Sequence, residues 1–279
     1  MSSGSLISVE ALAASAGRLR LLDARPGVEV YASGHLQGAV HADLNLQLSS
    51  AGAAGHDPAR GGRHPLPVPT TWAAQLGAWG IGPATHVVAY DDAAGGNAAC
   101  RLWWMLRAFG HRDVAVLDGG LRAARAAGLT MTDAVPPPIP SLPQYASAGW
   151  RLPTVDIEEV EGRLKDPAWK VLDVRARERW RGEHEHLDPV AGRIPGTVNL
   201  PFSENLGPDG RFKSPDVLRR MYLDLLAGTR PENLVVHCGS GVTACHTLLA
   251  LELAGLDGAS LYVGSYGEWC RSGRPLGRG

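Results

Sequence analysis

The chain has 279 residues, of which 44% are hydrophobic and 20% charged, and its formal net charge is −1. That length favours two domains, and the near-zero charge excludes the broad basic field that draws nucleic acid or an anionic membrane. No apolar run reaches the ~18 residues of a membrane-spanning helix, and Met1-Ser2-Ser3-Gly4-Ser5 lacks the charged and apolar regions of a signal peptide. The cysteines stand at 100, 238, 245 and 270 with no CxxC spacing. This speaks against a disulfide framework or a zinc site and predicts a soluble protein of the reducing cytoplasm.

In chain order, Ser8 caps a helix expected over Val9 to Ala16, and Leu19 to Asp23 reads as a strand. Ser49 to Pro69 is a long loop rich in Gly and Pro, a kind that is often functional. A helix is expected over Thr70 to Gly77, a strand over Val87 to Tyr90, and a helix from Ala98 to Phe109 closed by Gly110. Val114 to Leu117 is a further strand and Ala123 to Ala127 a short helix. Alternation of this kind implies α/β architecture, a mostly parallel sheet with helices on both faces. Asp133 to Pro143 holds five prolines, which exclude helix and favour an extended linker. The resulting domains are 1–134, a linker at 135–147, and 148–279.

The second half repeats the first. Leu21-Leu22-Asp23-Ala24-Arg25 returns as Val171-Leu172-Asp173-Val174-Arg175, and Gly34-His35-Leu36-Gln37-Gly38 as Gly192-Arg193-Ile194-Pro195-Gly196. His86 to Tyr90 returns as Leu234 to Cys238, and Val116 to Gly120 as Leu261 to Ser265. Landmarks in one order argue for a duplicated domain rather than a solenoid, whose repeats are shorter.

Leu234-Val235-Val236 reads as a buried strand, followed by Cys238-Gly239-Ser240-Gly241-Val242-Thr243 and an Ala- and Leu-rich helix through Leu253. A thiol there faces the unpaired N–H groups and positive end of a helix, and glycines let the loop curl round one anion. Such a cradle favours the thiolate, the nucleophilic form. Beyond the strand ends of such sheets is also where ligands bind. The first half has Tyr90-Asp91-Asp92-Ala93 at this place and so lacks a nucleophile, while Cys100 reads as packing within its helix. A cysteine phosphatase needs Arg six positions after the cysteine, where Ala244 stands.

Cysteine, four residues and threonine resemble the active-site loop of the rhodanese family, and in particular its 3-mercaptopyruvate sulfurtransferase branch. The two Gly-x-x-x-Gly motifs, Asp118-Gly119-Gly120 and Gly264 to Trp269 also resemble that family, with Gln37 and Arg193 departing from its pattern. The resemblance implies two tandem rhodanese-like domains, the first inactive and shaping one wall of a cleft. It implies a sulfurtransferase with a persulfide on Cys238, stabilised by Gly239, Gly241, Val242 and Thr243. Arg179 would hold the donor carboxylate, chosen by spacing over the equally basic Arg177 and Arg181; no second arginine stands between Glu183 and Ala191. Ser240 and His64 would relay a proton, with Asp43 as a possible acid. The donor would be mercaptopyruvate, because Gly239 and Ser240 bring no charge to the loop; thiosulfate is the alternative. The acceptor would be a small thiol, cyanide or a thioredoxin-like protein, with no metal or organic cofactor. His184-Glu185-His186 is a weak metal pattern, and His237 reads as packing at a strand end.

Overall fold

The computed structural model describes residues 4–15, 19–146 and 149–279. Its chain falls into two compact units. The first comprises the described residues of Met1–Ser50, Leu66–Arg151 and Asp209–Arg211, the second Ala51–Pro65, Leu152–Pro208 and Phe212–Gly279.

The first unit contains, in order, β1 (Leu6–Ile7), α1 (Val9–Ala14), β2 (Leu19–Asp23), α2 (Val28–Ala32), β3 (His35–Leu36), β4 (Val40–His41), α3 (Pro69–Ala78), β5 (His86–Tyr90), α4 (Ala99–Ala108), β6 (Val114–Leu117), α5 (Gly120–Ala126) and β7 (Met131–Thr132). Five strands form an all-parallel sheet in the order β1-β6-β5-β2-β4, and β3 pairs antiparallel with β7. Ser8 caps α1 as expected, its hydroxyl accepting the Ala11 N–H; the expected end at Ala16 lies outside the described residues. Pro69 opens α3 at a position where its missing N–H has no cost. Helix α5 starts three residues before the expected Ala123, because Gly119 and Gly120, both at positive φ, turn directly from β6 into it. The central strand β5 is buried beyond its first residue, and α4 is apolar nearly all round, as a doubly covered parallel sheet requires. The Pro-rich stretch is extended, yet it packs on α3: the Leu142 and Tyr145 N–H groups donate to the Gly77 and Ala73 carbonyls. Trp150 stacks near Trp72, Trp104 and Phe109, which explains why this unit runs on to Arg151.

The second unit contains β8 (Thr154–Val155), α6 (Ile157–Arg163), β9 (Lys170–Asp173), α7 (Arg177–Arg181), β10 (Val198–Asn199), α8 (Pro215–Leu226), β11 (Leu234–His237), α9 (Ala244–Leu253), β12 (Ser260–Tyr262) and α10 (Ser265–Trp269). Its parallel sheet has the order β10-β9-β11-β12-β8, the same path as the first. Registers match as well: Asp23 lies opposite Tyr90, and Asp173 opposite His237. Asp91 and Cys238, each the next residue, therefore occupy one position in two copies, one residue on from the sequence pairing, which set Tyr90 against Cys238. Residues 51–65, part of the long loop in the first half, group with this second unit; there the Gly61 N–H donates to Glu268 at 2.6 Å. Among the described residues no helix is long and apolar enough to cross a membrane.

The repeated Asp-x-Arg motif is structural in both units. The Arg25 guanidinium forks onto Asp23 and donates to the Gly34 carbonyl at 2.7 Å. Arg175 does the same to Asp173 and to the Gly192 carbonyl at 2.9 Å, and also lies 3.8 Å from the centre of the Tyr266 ring. Each arginine thus fastens a strand end to the first glycine of the Gly-x-x-x-Gly motif.

Candidate active site

Cys238 follows β11 directly and is buried, with 2% of its surface exposed. The Ser240 N–H points at its sulfur, 3.5 Å away. Its own N–H donates to Ser265 Oγ at 3.2 Å, and its carbonyl accepts the Tyr266 N–H at 3.0 Å. Gly239 is bound in turn to the Gly267 N–H at 2.9 Å, so α10 backs the start of the loop. Gly241 has φ +71°, and a Cβ there would stand 2.5 Å from the Val263 carbonyl oxygen, which leaves room for glycine alone. Val242 is buried and its carbonyl accepts the Cys245 N–H; Thr243 leads into α9 and its carbonyl accepts the His246 N–H. Ser240 is buried as well.

Of the three arginines of α7, Arg177 and Arg181 are half-exposed and pair with Glu204 and Glu183. Arg179 is only 14% exposed and turns inward. Its Nε and Nη2 fork onto Glu185 at 2.8 to 3.1 Å, and its Nη2 is 3.5 Å from the Cβ position of Gly239. Burial alone would push the Glu185 carboxyl up; the Arg179 hydrogen bond, backbone N–H groups and the Arg179 charge outweigh it and hold the pKa below the ordinary value. Glu185 is thereby engaged in ion pairs with Arg179 and Arg175, and among the described residues no cluster of three or more His, Cys, Asp or Glu is arranged for a metal.

The structure adds residues that the sequence did not point to. Asp188, its side chain wholly buried, accepts from Arg63 Nε at 3.1 Å and Arg271 Nη1 at 2.9 Å, and lies 3.7 Å from Arg179. Arg63 Nη2 stands 3.0 Å from the Cβ position of Gly239. The loop itself carries no charge, yet two guanidiniums flank it. Ser265 holds a left-handed φ of +57°, unusual for a non-glycine, while binding the Cys238 N–H and donating to the Tyr262 carbonyl. The one available signal was the repeat, in which Ser265 falls where Gly120 has the same φ.

His64 follows Arg63 in the segment that groups with this unit and is half-buried. Asp43 belongs to the first unit, where its carboxylate accepts the N–H groups of Gly27, Asn45 and Leu46 and so builds a turn. His237 is buried on β11; burial pushes its pKa down against the pull of Asp173, and its Nδ1 donates to the Cys238 carbonyl at 3.1 Å. Cys100 and Cys245 are buried within helices. In the first unit, the position of Cys238 is taken by Asp91, whose buried carboxylate accepts five backbone N–H groups, from Ala93, Gly95, Asn97, Ala98 and Ala99.

A rhodanese-like domain model matches residues 8–127 and again residues 156–272. The chain belongs to the rhodanese family. It is similar to the "Probable 3-mercaptopyruvate sulfurtransferase" of Pseudomonas aeruginosa, with 43% identity over 96% of this chain and 96% of that protein. The 3-mercaptopyruvate sulfurtransferase of Homo sapiens is 39% identical over 76% of this chain and 71% of that one. Among solved structures, 3-mercaptopyruvate sulfurtransferase from Leishmania major superposes with a TM-score of 0.84 at 28% identity, covering 98% of this chain and 75% of that one. As a two-domain member of the rhodanese family, the chain is an enzyme of the sulfurtransferase class.

Proposed function

We propose that the chain transfers a sulfane sulfur from 3-mercaptopyruvate to a small thiol, cyanide or a thioredoxin-like protein through a persulfide on Cys238. The observation that carries this reading is the cysteine at a strand end, with a loop N–H on its sulfur and a helix opening six residues later. The Cys238 thiolate attacks the donor sulfur; an S–S bond forms, the C–S bond breaks, and its electron pair leaves as the enolate of pyruvate. The proton on the donor sulfur balances the one the enolate carbon gains, so the net products are persulfide anion and pyruvate. Ser240 and His64 relay that proton. The backbone N–H groups of residues 239–243 stabilise the outer sulfur, as donors aimed at developing charge do. The acceptor then attacks the outer sulfur and restores the thiolate. Arg63 and Arg179 beside Gly239 support a second reading with thiosulfate as donor, since a compact dianion gains from cations near the sulfur.

Incubation with mercaptopyruvate and no acceptor is expected to add one sulfur atom to the peptide that contains Cys238, read by mass spectrometry. Cys238→Ser is expected to abolish turnover, with Cys100→Ser and Cys245→Ser retaining most of it. Extra sulfur on another cysteine would refute the reading. Comparing kcat/KM for mercaptopyruvate and thiosulfate decides between the donors.

A further inference from the structure

Gly239 lies between two guanidinium groups, and its missing side chain leaves the space between them open. A Cβ there would stand 3.0 Å from Arg63 Nη2, 3.5 Å from Arg179 Nη2 and 3.6 Å from Asp188 Oδ2. Arg179 already gives two nitrogens to Glu185. Arg63 is bound through Nε to Asp188, which turns its terminal nitrogens toward the loop. The buried Asp188 carboxylate is the anchor: one oxygen takes Arg63 and Arg271, and the other makes no hydrogen bond. Around it three guanidiniums, Arg63, Arg179 and Arg271, face Asp188 and a Glu185 that is shared with Arg175, so cations outnumber carboxylates beside Gly239, the residue after Cys238. Residues 183–191 contain no arginine that could serve instead.

We infer that Arg63 is a donor-binding residue, whose terminal N–H groups grip the carboxylate of the sulfur donor beside Arg179. Asp188 is the positioning residue that holds the Arg63 fork at Gly239. The inference rests on Cys238 as the sulfur carrier. A planar fork suits a carboxylate better than a point charge does, so the geometry should show in donor affinity and not in the later transfer to acceptor.

The test compares Arg63→Met and Arg63→Lys with the unmodified enzyme in two half-reactions. With mercaptopyruvate, Arg63→Met is expected to raise KM roughly tenfold or more, the effect of one lost charge-assisted hydrogen bond, with kcat changed far less. Arg63→Lys is expected to fall between the two. Persulfide loaded beforehand from inorganic polysulfide is expected to react with cyanide with a much smaller loss than the mercaptopyruvate half-reaction shows, whereas a merely structural role would lower both in parallel. An unchanged KM, or parallel loss in both half-reactions, overturns the assignment. If Arg63→Met does not fold, Arg63→Lys decides by the same criteria. Failure of the unmodified protein to take sulfur on Cys238 from either source would instead refute the carrier itself.

Discussion

Glu185 fixes the position of Arg179, and its ionisation can be followed. Its folded-state pKa lies below the ordinary carboxylate value. The stability it contributes is therefore present above its unfolded pKa of about 4.3 and is lost as pH falls through the lower, folded value. Glu185→Gln is expected to lower stability by roughly 1.5–3 kcal/mol at neutral pH, the range for a hydrogen bond to a charged group. The deficit should shrink below about pH 4, where the unmodified protein loses the same interaction. Thermal melting across pH 3 to 7 measures this, and a constant deficit over that range would contradict it. The neighbouring partners of the loop were hidden from the sequence for a plain reason. Arg63 and Asp188 are separated by 125 positions, and an arginine before a histidine in a Gly- and Pro-rich loop gives no sign of where it folds. Cys238, by contrast, was legible, because the strand, the glycines and the following helix are all local.

At the scale of elements, the strands were read to within a residue where they were apolar and central, as at β5 and β11. The edge strands β1, β4, β8 and β10 have two residues each and carry no periodic signal; they exist through pairing with longer neighbours. The join between β9 and the loop after it depends on one ion pair. Arg175 and Asp173 are both almost wholly buried, so removing Asp173 leaves Arg175 charged in the interior with only the longer contact to Glu185. Asp173→Ala is expected to cost about 3 kcal/mol or more, seen as a lower urea midpoint at constant slope. Glu185, 3.4 Å from Arg175, offsets part of the loss. A shift under about 1 kcal/mol would mean that the pair does not hold the strand end.

Across the whole molecule, the duplication was readable from four landmarks, and the sheets repeat it strand for strand. The family resemblance sent His64 to the Cys238 site, but loop composition alone did not show that the whole of residues 51–65 groups with the other copy. The two copies also differ at one atom position in an instructive way. The oxygens of Asp91 lie as many bonds from Cα as the outer sulfur of a cysteine persulfide would. They are negatively charged when ionised, and backbone N–H groups surround them. The first unit thus keeps, in permanent form, a likeness of the intermediate proposed for the second. Writing that likeness into the second unit, as Cys238→Asp, is expected to give an inactive protein that melts above Cys238→Ser, because a carboxylate would fill the loop that a hydroxyl leaves empty. A melting point equal to or below that of Cys238→Ser would show that the two loops are alike in path only. On the proposed mechanism, the first unit is a mould of a species that the second would hold for only part of each turnover.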